Sequence, residues 1–365
     1  MLLTMTAHCK PALILRKAGC TYASIDRILA LVPSQYAHLL FAQLALHQNP
    51  VRPESANPYL LMGAQGPDMF YHNRRRKPSG IRYGGIIHRK NIGHLVASMR
   101  DQLIERYGVD ALVGSSEFLY VRAYASHAVL DRYAHPFINY FAGWRRPGDS
   151  HSRRYRRAHT FAERIIDVVL AERYLGLHPR EMSFAAGIES LDTLPGELEQ
   201  LLMRAIRAVY RSAGDDHQIE HRIRNAYLDM RGFYQFMDSV DEQKLGSMLR
   251  NAESDDAERL ISILHPLEGA WNTDFFNVKQ KRWKDPCTGE SHKESLWVLW
   301  DEALNQARKM DAVLCDTESD SARTIAAVGN SDLSSPHEKD CTPEYMDPVD
   351  LPGYMQRIAE LHRSD

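Results

Sequence analysis

The sequence contains few cysteines and no long apolar run. Its 365 residues include five cysteines, none of which forms a CxxC pair, and an odd number argues against a disulfide framework. The pattern favours a reducing compartment. No apolar stretch approaches the ~20 residues that cross a bilayer, so the sequence predicts no transmembrane segment.

The N-terminus lacks a clear export signal. The apolar run from Pro11 to Leu15 is flanked closely by Lys10 on one side and by Arg16 and Lys17 on the other. A secretory signal needs an apolar core of about 7–15 residues. We therefore expect a cytoplasmic location.

A large excess of charge of either sign is also absent. The chain carries 45 Lys and Arg against 47 Asp and Glu, which gives a net charge of −2 with neutral histidines. This balance supplies no overall field that would attract nucleic acid or an anionic membrane. Hydrophobic residues make up 44% and charged residues 25%, which is typical of a folded globular protein.

Strand-like alternation and internal repeats are not visible, and helical periodicity dominates. We therefore predict an all-α fold with one helical domain over residues 1–313. The predicted helices include one capped by Ser34, one capped by Ser115 or Ser116, and two that end at Gly108 and Gly176. Their ranges are 36–46, 91–107, 118–135, 159–175, 195–212, 217–240, 258–264 and 293–313.

Apolar periodicity disappears after the last of these helices. Asp, Ser, Glu and Pro dominate from residue 315 to 352, a composition that is typical of disorder. The sequence thus predicts a disordered segment at 314–352, followed by a short C-terminal helix or tail at 353–365.

The sharpest chemical signal is the spacing of His127, Asp131 and His135. A step of four residues rotates by only about 40° around a helix, so the three side chains project along one stripe. The rest of this predicted helix is apolar, and burying the three groups without partners would be costly. Imidazole and carboxylate are good zinc ligands, so a metal would remove that cost. A hydrogen-bonded core network is the alternative.

A second stripe follows on the next long helix, at His159, Glu163 and Asp167. Two neighbouring helices with such stripes can pack face to face around a metal cluster. Taken alone, the second stripe could equally be a solvated helix surface with ordinary side-chain pairs. A Gly-Pro-Asp turn over residues 63–68 presents Asp68 as a further candidate, although it could be a plain turn.

The order of these pieces is a helix His38, the turn at 63–68, His88, the stripe from His127 to Pro136, and the pair His159 and Glu163. This order resembles the zinc-dependent phospholipase C family, which is related in fold to the S1/P1 nucleases. The resemblance covers about residues 30–175 and implies a multi-helix domain with two or three zinc ions. Many members of the family are exported, so the resemblance leaves an exported location open beside the cytoplasmic one.

The resemblance also implies which residues bind the ions. One ion would be bound by Asp68, His88 and His127, and a second by His135, His159 and Glu163. Asp131 would bridge between ions, and His38 with Asp131 would complete a third. Members with three zinc ions also use an N-terminal tryptophan, which this chain lacks, so the third ion is either missing or completed by another ligand. His72 and His94 are alternatives to His88.

The implied activity is hydrolysis of a phosphodiester by metal-activated water, with a phospholipid or a lipid-like head group as substrate. Asp68 is the candidate that orients the water or acts as general base. Asp167 is a candidate partner that holds a ligand histidine in its tautomer. Two alternatives stay open: the same centre acting on single-stranded nucleic acid, and a non-catalytic helical protein stabilised by metal.

Overall fold

A computed structural model describes residues 34–146, 148–267, 274–335, 341 and 343–364. Residues 1–33, on which the expectation about export depends, lie outside this range. The described chain is mostly helical, which confirms the all-α prediction. None of its helices combines the length and the apolar composition that a bilayer crossing requires.

The elements of each type occur along the chain in the following order. The α-helices are α1 (Tyr36–Ala45), α2 (Pro58–Ala64), α3 (Ile81–Arg89), α4 (Ile92–Tyr107), α5 (Val109–Leu112), α6 (Ser116–Ala142), α7 (Ala158–Leu175), α8 (Phe184–Gly187), α9 (Gly196–Val209), α10 (Arg211–Gly214), α11 (Ile219–Asp238), α12 (Glu242–Arg250), α13 (Ser254–Ile263), α14 (Leu296–Cys315), α15 (Ser321–Val328) and α16 (Leu351–Ser364). The 3₁₀ helices are Pro53–Ser55, Gly66–His72, His151–Tyr155 and Pro179–Glu181. Strands β1 (Trp283–Lys284) and β2 (Ser291–His292) form an antiparallel pair.

Local sequence signals set several helix ends where they were predicted. The Ser115 hydroxyl accepts a hydrogen bond from the backbone N–H of Phe118 (3.2 Å) and so caps α6. Gly108 follows α4 with φ of 75°, and Gly176 follows α7 with φ of 66°. Positive φ favours glycine because it has no Cβ, so both helices end there.

Helix α6 is the centre of the fold. It packs against α1, α2, α4, α7 and α14, and its buried residues lie on most of its sides. The contact with α2 is very close: a Cβ on Gly63 would lie 2.4 Å from the carbonyl oxygen of Tyr120. Because α1, α7 and the chain after α2 all contact α6, residues far apart in the sequence meet beside it.

For the described residues between 314 and 352, the structure corrects the expectation of disorder. This range contains α15, and Leu333 within it is fully buried. The guanidinium of Arg100 on α4 donates hydrogen bonds of 2.8–2.9 Å to three backbone carbonyls at the end of α14 and just beyond it. Hydrogen bonds to the backbone contribute to the order here, and they leave no apolar periodicity in the sequence.

Two cysteines are paired, contrary to the expectation from their number. Cys287 and Cys341 form a disulfide with a Cα–Cα distance of 5.8 Å and a sequence separation of 54 residues. The backbone N–H groups of Glu344 and Tyr345 reinforce this junction by donating to the carbonyl of Pro286 (2.8 and 3.1 Å). The cysteine pattern therefore no longer indicates a reducing compartment.

Candidate metal centre

Eight side chains of the predicted site meet beside α6. Seven of them are buried, and His159 is half-buried. They come from α1, α3, α6, α7 and the 3₁₀ helix Gly66–His72. They form three groups whose potential ligand atoms lie within 4.8 Å of one another: His38, His127 and Asp131; Asp68, His88 and His127; and His135, His159 and Glu163.

Asp131 lies between the groups and faces four imidazoles. Its Oδ2 atom lies 3.1 Å from His127 Nε2 and 3.8 Å from His88 Nε2. Its Oδ1 atom lies 3.3 Å from His38 Nε2 and 3.8 Å from His135 Nε2. One oxygen is thus directed to each side, as a carboxylate shared between two metal ions requires.

Four imidazoles of the site are oriented in the same way. In each, Nδ1 contacts a carbonyl oxygen, which can only accept a hydrogen bond, so Nδ1 carries the proton and Nε2 presents its lone pair to the site. The four contacts are His88 with Gly84 O (2.7 Å), His127 with Ala64 O (3.1 Å), His135 with Leu333 O (2.9 Å) and His159 with Asn139 Oδ1 (2.9 Å).

The Nε2 atoms face carboxylate oxygens at short range. His88 Nε2 lies 2.9 Å from Asp68 Oδ1, and His159 Nε2 lies 3.2 Å from Glu163 Oε1. A lone pair opposite an ionised carboxylate is repulsive unless a cation, either a proton or a metal ion, lies between them. The arrangement of the site therefore requires positive charge at several places.

The pKa values of three site residues also indicate that the site favours positive charge on its imidazoles. Burial lowers the pKa of a histidine, but Asp131 and Asp68 raise the pKa of His127 to about 9. Against the same effect of burial, Asp131 and Glu163 raise the pKa of His135 to about 10. Burial acts to raise the pKa of Glu163, yet the neighbouring imidazoles lower it to about 2. Protons and metal ions would compete for these nitrogen atoms.

His38, the candidate ligand of the third ion, lies in the site with His127 and Asp131. Its ring stacks on that of His127, with centroids 4.0 Å apart and an interplanar angle of 20°. Burial and the neighbouring His127 lower the pKa of His38 to about 4, so its imidazole is neutral. A neutral ring with Nε2 near Asp131 is suited to metal binding.

The two alternatives to His88 lie elsewhere. His72 is buried with its ring centroid 4.9 Å from that of Phe233, and burial lowers its pKa to about 3. His94 is exposed, and its Nδ1 lies 3.0 Å from Asn330 Oδ1. Neither belongs to the three groups, whereas His88 does.

Asp167 has a different role from the predicted one. It contacts none of the candidate ligand histidines and instead binds the start of α1, where it accepts hydrogen bonds from the Ser34 hydroxyl, Gln35 N (3.1 Å) and Ala37 N (2.8 Å). The sequence predicted Ser34 as the cap of α1, but the distant carboxylate of Asp167 caps the helix instead. A carboxylate satisfies the free N–H groups of a helix start and interacts favourably with the helix dipole. Asp167 thus helps to place His38 through its helix.

The histidine that Asp167 does contact gives a pH-dependent contribution to stability. His265 Nε2 lies 3.1 Å from Asp167 Oδ2, and burial lowers the pKa of His265 to about 4 despite the opposing effect of that hydrogen bond. Below about pH 6.5 the unfolded chain binds a proton at this residue, whereas the folded chain does so only near pH 4. The free energy of unfolding should therefore fall as the pH falls through this window.

We expect His265→Gln to flatten this pH dependence, because the amide keeps a hydrogen bond to Asp167 but does not titrate. Between pH 7 and 4.5 the wild type should lose about 2 kcal/mol more than the variant. Urea unfolding at several pH values measures the difference. Parallel curves for the two proteins would show that His265 titrates alike in the folded and unfolded chains.

A narrow cleft opens beside one side of the cluster. His38, Asp131, His135 and Glu163 line it, but Asp68 does not. Its other walls are largely apolar, with residues of α6, α7 and α14: Leu130, Tyr133, Ile138, Ile166, Leu296, Leu299 and Trp300. A ligand in the cleft would contact carboxylates and imidazoles at one end and an apolar surface at the other.

Sequence reasoning missed two groups that orient the imidazoles. Asn139 continues the four-residue spacing of His127, Asp131 and His135, so the stripe itself carried a signal for it. Leu333 contributes only its backbone carbonyl, and no residue type indicates such a contact.

No protein-family model, curated protein or solved structure matches this chain. The donor atoms of the site, the cleft beside them and the order of the motifs are therefore the features that indicate its function.

Proposed function

We propose that this chain is a zinc-dependent phosphoesterase that hydrolyses a phosphodiester in a phospholipid or lipid-like head group. One observation carries the proposal: imidazole lone pairs and carboxylate oxygens face one another around Asp131, next to a narrow cleft with largely apolar walls. Nitrogen and carboxylate donors of this kind are typical zinc ligands. The order of the motifs, which resembles the zinc-dependent phospholipase C family, supports the same assignment.

The residues would hold two or three ions. Asp68, His88 and His127 would hold one, and His135, His159 and Glu163 another. Asp131 would link them, and His38 with Asp131 would provide a third position. When bound, zinc lowers the pKa of water to about 7 and neutralises charge on phosphate oxygens.

The residues around the ions would either orient the attacking water or bind metal. Asp131 and Glu163 face the cleft and would orient the attacking water. Both oxygens of Asp68 face imidazoles, at 2.9 Å from His88 and 3.7 Å from His127. Because Asp68 also lies away from the cleft lining, we assign it to metal binding in preference to the general-base role that the sequence suggested.

The cleft favours a lipid-like substrate over single-stranded nucleic acid. Among the described residues that line it, none is Lys or Arg, whereas proteins that bind single strands combine aromatic platforms with a basic groove. Trp300 and Tyr133 could stack against a base, but the aliphatic residues around them also suit an alkyl group. Exclusion of water by such a wall contributes to binding.

The disulfide bears on where the protein acts. Disulfides persist in oxidising compartments and are rare in reducing ones. We infer from the Cys287–Cys341 pair that the protein acts in an oxidising compartment, in place of the cytoplasmic location expected from the sequence.

The direct test combines zinc analysis of the purified protein with a panel of phosphodiesters. The panel contains phosphatidylcholine, a short-chain lipid analogue, bis-p-nitrophenyl phosphate and single-stranded DNA. We expect two or three zinc ions per chain and hydrolysis of the lipids, which a chelator abolishes and added zinc restores. Preferential cleavage of the DNA would establish the nuclease instead. Bound zinc without any hydrolysis would support the non-catalytic alternative.

A further inference from the structure

A segment near the C-terminal end of the chain lies directly against the metal centre. We call residues 328–334 the strap. The backbone N–H of Leu333 donates to the carbonyl of His88 (2.8 Å), and the carbonyl of Leu333 accepts from Nδ1 of His135 (2.9 Å). The Leu333 side chain is fully buried. The strap therefore fixes the ring orientation of one candidate ligand by a direct hydrogen bond.

The strap reaches a second candidate ligand through Asn139. The Asn139 Nδ2 group donates to the carbonyl of Ser334 (3.1 Å), which can only accept. This contact sets the orientation of the amide, so its Oδ1 atom faces Nδ1 of His159 at 2.9 Å. An oxygen in that position keeps the proton on Nδ1 and leaves Nε2 of His159 directed at Glu163.

The strap is itself held by the helix that carries the central carboxylate. The guanidinium of Arg132, the residue next to Asp131, donates to the carbonyls of Val328, Gly329 (3.1 Å) and Ser331 (3.4 Å). The carbonyl of Asn330 accepts a further hydrogen bond, of 3.2 Å, from the residue before α4. These contacts attach the strap to α6 and to the start of α4.

In the other group of candidate ligands the strap contacts only the backbone of His88, and other carbonyls orient the imidazole rings. His88 is fixed by Gly84, one turn earlier on α3, and His127 by the carbonyl of Ala64 at the end of α2. Both oxygens come from the first third of the chain. The two groups therefore differ in what holds their imidazoles.

We propose that the strap and Asn139 are positioning elements for the ion bound by His135, His159 and Glu163, and that the ion bound by Asp68, His88 and His127 is largely independent of them. Loss of the positioning contacts should then weaken one ion selectively. The proposal rests on the metal binding proposed above, but it does not depend on the reaction that the centre catalyses.

The first test compares Asn139→Ala with Asn139→Asp. Alanine removes both the oxygen that orients His159 and the donor to Ser334, whereas aspartate retains the acceptor and loses only the donor. Removing such a contact around a metal ligand typically costs about 10–100-fold in affinity. We expect zinc titration against a chromogenic chelator to show one site weakened by that factor in Asn139→Ala and by a smaller factor in Asn139→Asp. The remaining zinc should bind as in the wild type.

A second variant loosens the strap without touching the hydrogen bonds of the imidazoles. Arg132→Met keeps the aliphatic part of the side chain and removes the donors to the three strap carbonyls. We expect the same single ion to bind more weakly, and the Nδ1 proton signals of His135 and His159 to broaden in NMR spectra. Asn251→Ala, at an exposed position at the end of α12, is the control that matches Asn139→Ala. It should change neither the zinc affinity nor the Nδ1 proton signals.

The outcomes separate the proposals. Unchanged affinity at every site in both Asn139→Ala and Arg132→Met overturns the role of the strap, as does an equal loss at all sites with a lower melting temperature. A wild type that binds zinc without hydrolysing any phosphodiester overturns the enzymatic function and leaves the strap testable. A wild type that binds no zinc overturns both.

Discussion

Asp131→Asn is expected to reduce zinc content and phosphodiesterase activity together. The carboxylate faces four imidazoles at 3.1–3.8 Å and is almost fully buried. Asparagine removes the negative charge and replaces one oxygen with an N–H₂ group. This group has no lone pair for a metal ion, so one of the two bridging contacts is lost. We expect the loss of at least one zinc ion and a fall in kcat/KM of about 100-fold or more.

Metal analysis and the chelator-controlled assay measure both effects. Asp110→Asn is the matched control, because Asp110 is an exposed carboxylate on α5 away from the cluster. Circular dichroism establishes that both variants are folded. If Asp131→Asn keeps its full zinc content and its activity, Asp131 is not the link between the ions.

Gly66→Ala is expected to disturb the centre by steric means alone. Gly66 has φ of +53°, and a Cβ built on it would lie 2.6 Å from Cγ of His127. The left-handed backbone costs an alanine roughly 1–2 kcal/mol, and the contact forces the His127 ring away from Asp68 and Asp131. We expect a loss of stability of at least about 2 kcal/mol and weaker zinc binding. Urea unfolding and zinc titration measure the two quantities.

A glycine on the helix that carries His88 provides the comparison. In Gly85→Ala the new Cβ would meet only the end of the Arg89 side chain, at 3.9 Å. Alanine is favoured over glycine inside a helix by about 0.5–1 kcal/mol. This variant should be as stable as the wild type or slightly more stable, with unchanged zinc affinity. Equal behaviour of the two variants would show that the close approach of Gly66 to His127 does not matter.

The sequence predicted the parts of the site that depend on the geometry of one helix. The spacing of His127, Asp131 and His135 fixes a common face whatever the rest of the chain does, and the structure places the three residues there. The pair His159 and Glu163 follows the same rule. Gly108 and Gly176 likewise end helices for a local reason.

The parts that depend on tertiary contacts could not be read in the same way. No spacing distinguishes His88 from His72 or His94, because the loop after Asp68 has no period that relates it to α6. Asp167 was assigned to a ligand histidine because it follows Glu163 by four residues. Its actual partner is the start of α1, about 130 residues away in the chain.

The region after α14 shows a further limit of composition. Its polar residues indicated disorder, but Arg100 and Arg132 bind its carbonyls, and a carbonyl has no signature in the sequence. The same reason explains why Leu333 was not found. Cys287 and Cys341 gave no signal either, since two cysteines 54 residues apart belong to no local motif.

The disulfide has a topological consequence for the site. Together with the peptide chain it closes a covalent ring from Cys287 to Cys341, and this ring includes both Trp300 and Leu333. A single proteolytic cut within the ring would divide the chain into two pieces that the disulfide still joins. The cleft wall and the carbonyl that orients His135 would remain bound to the same molecule after nicking, and only the added action of a thiol would release a fragment.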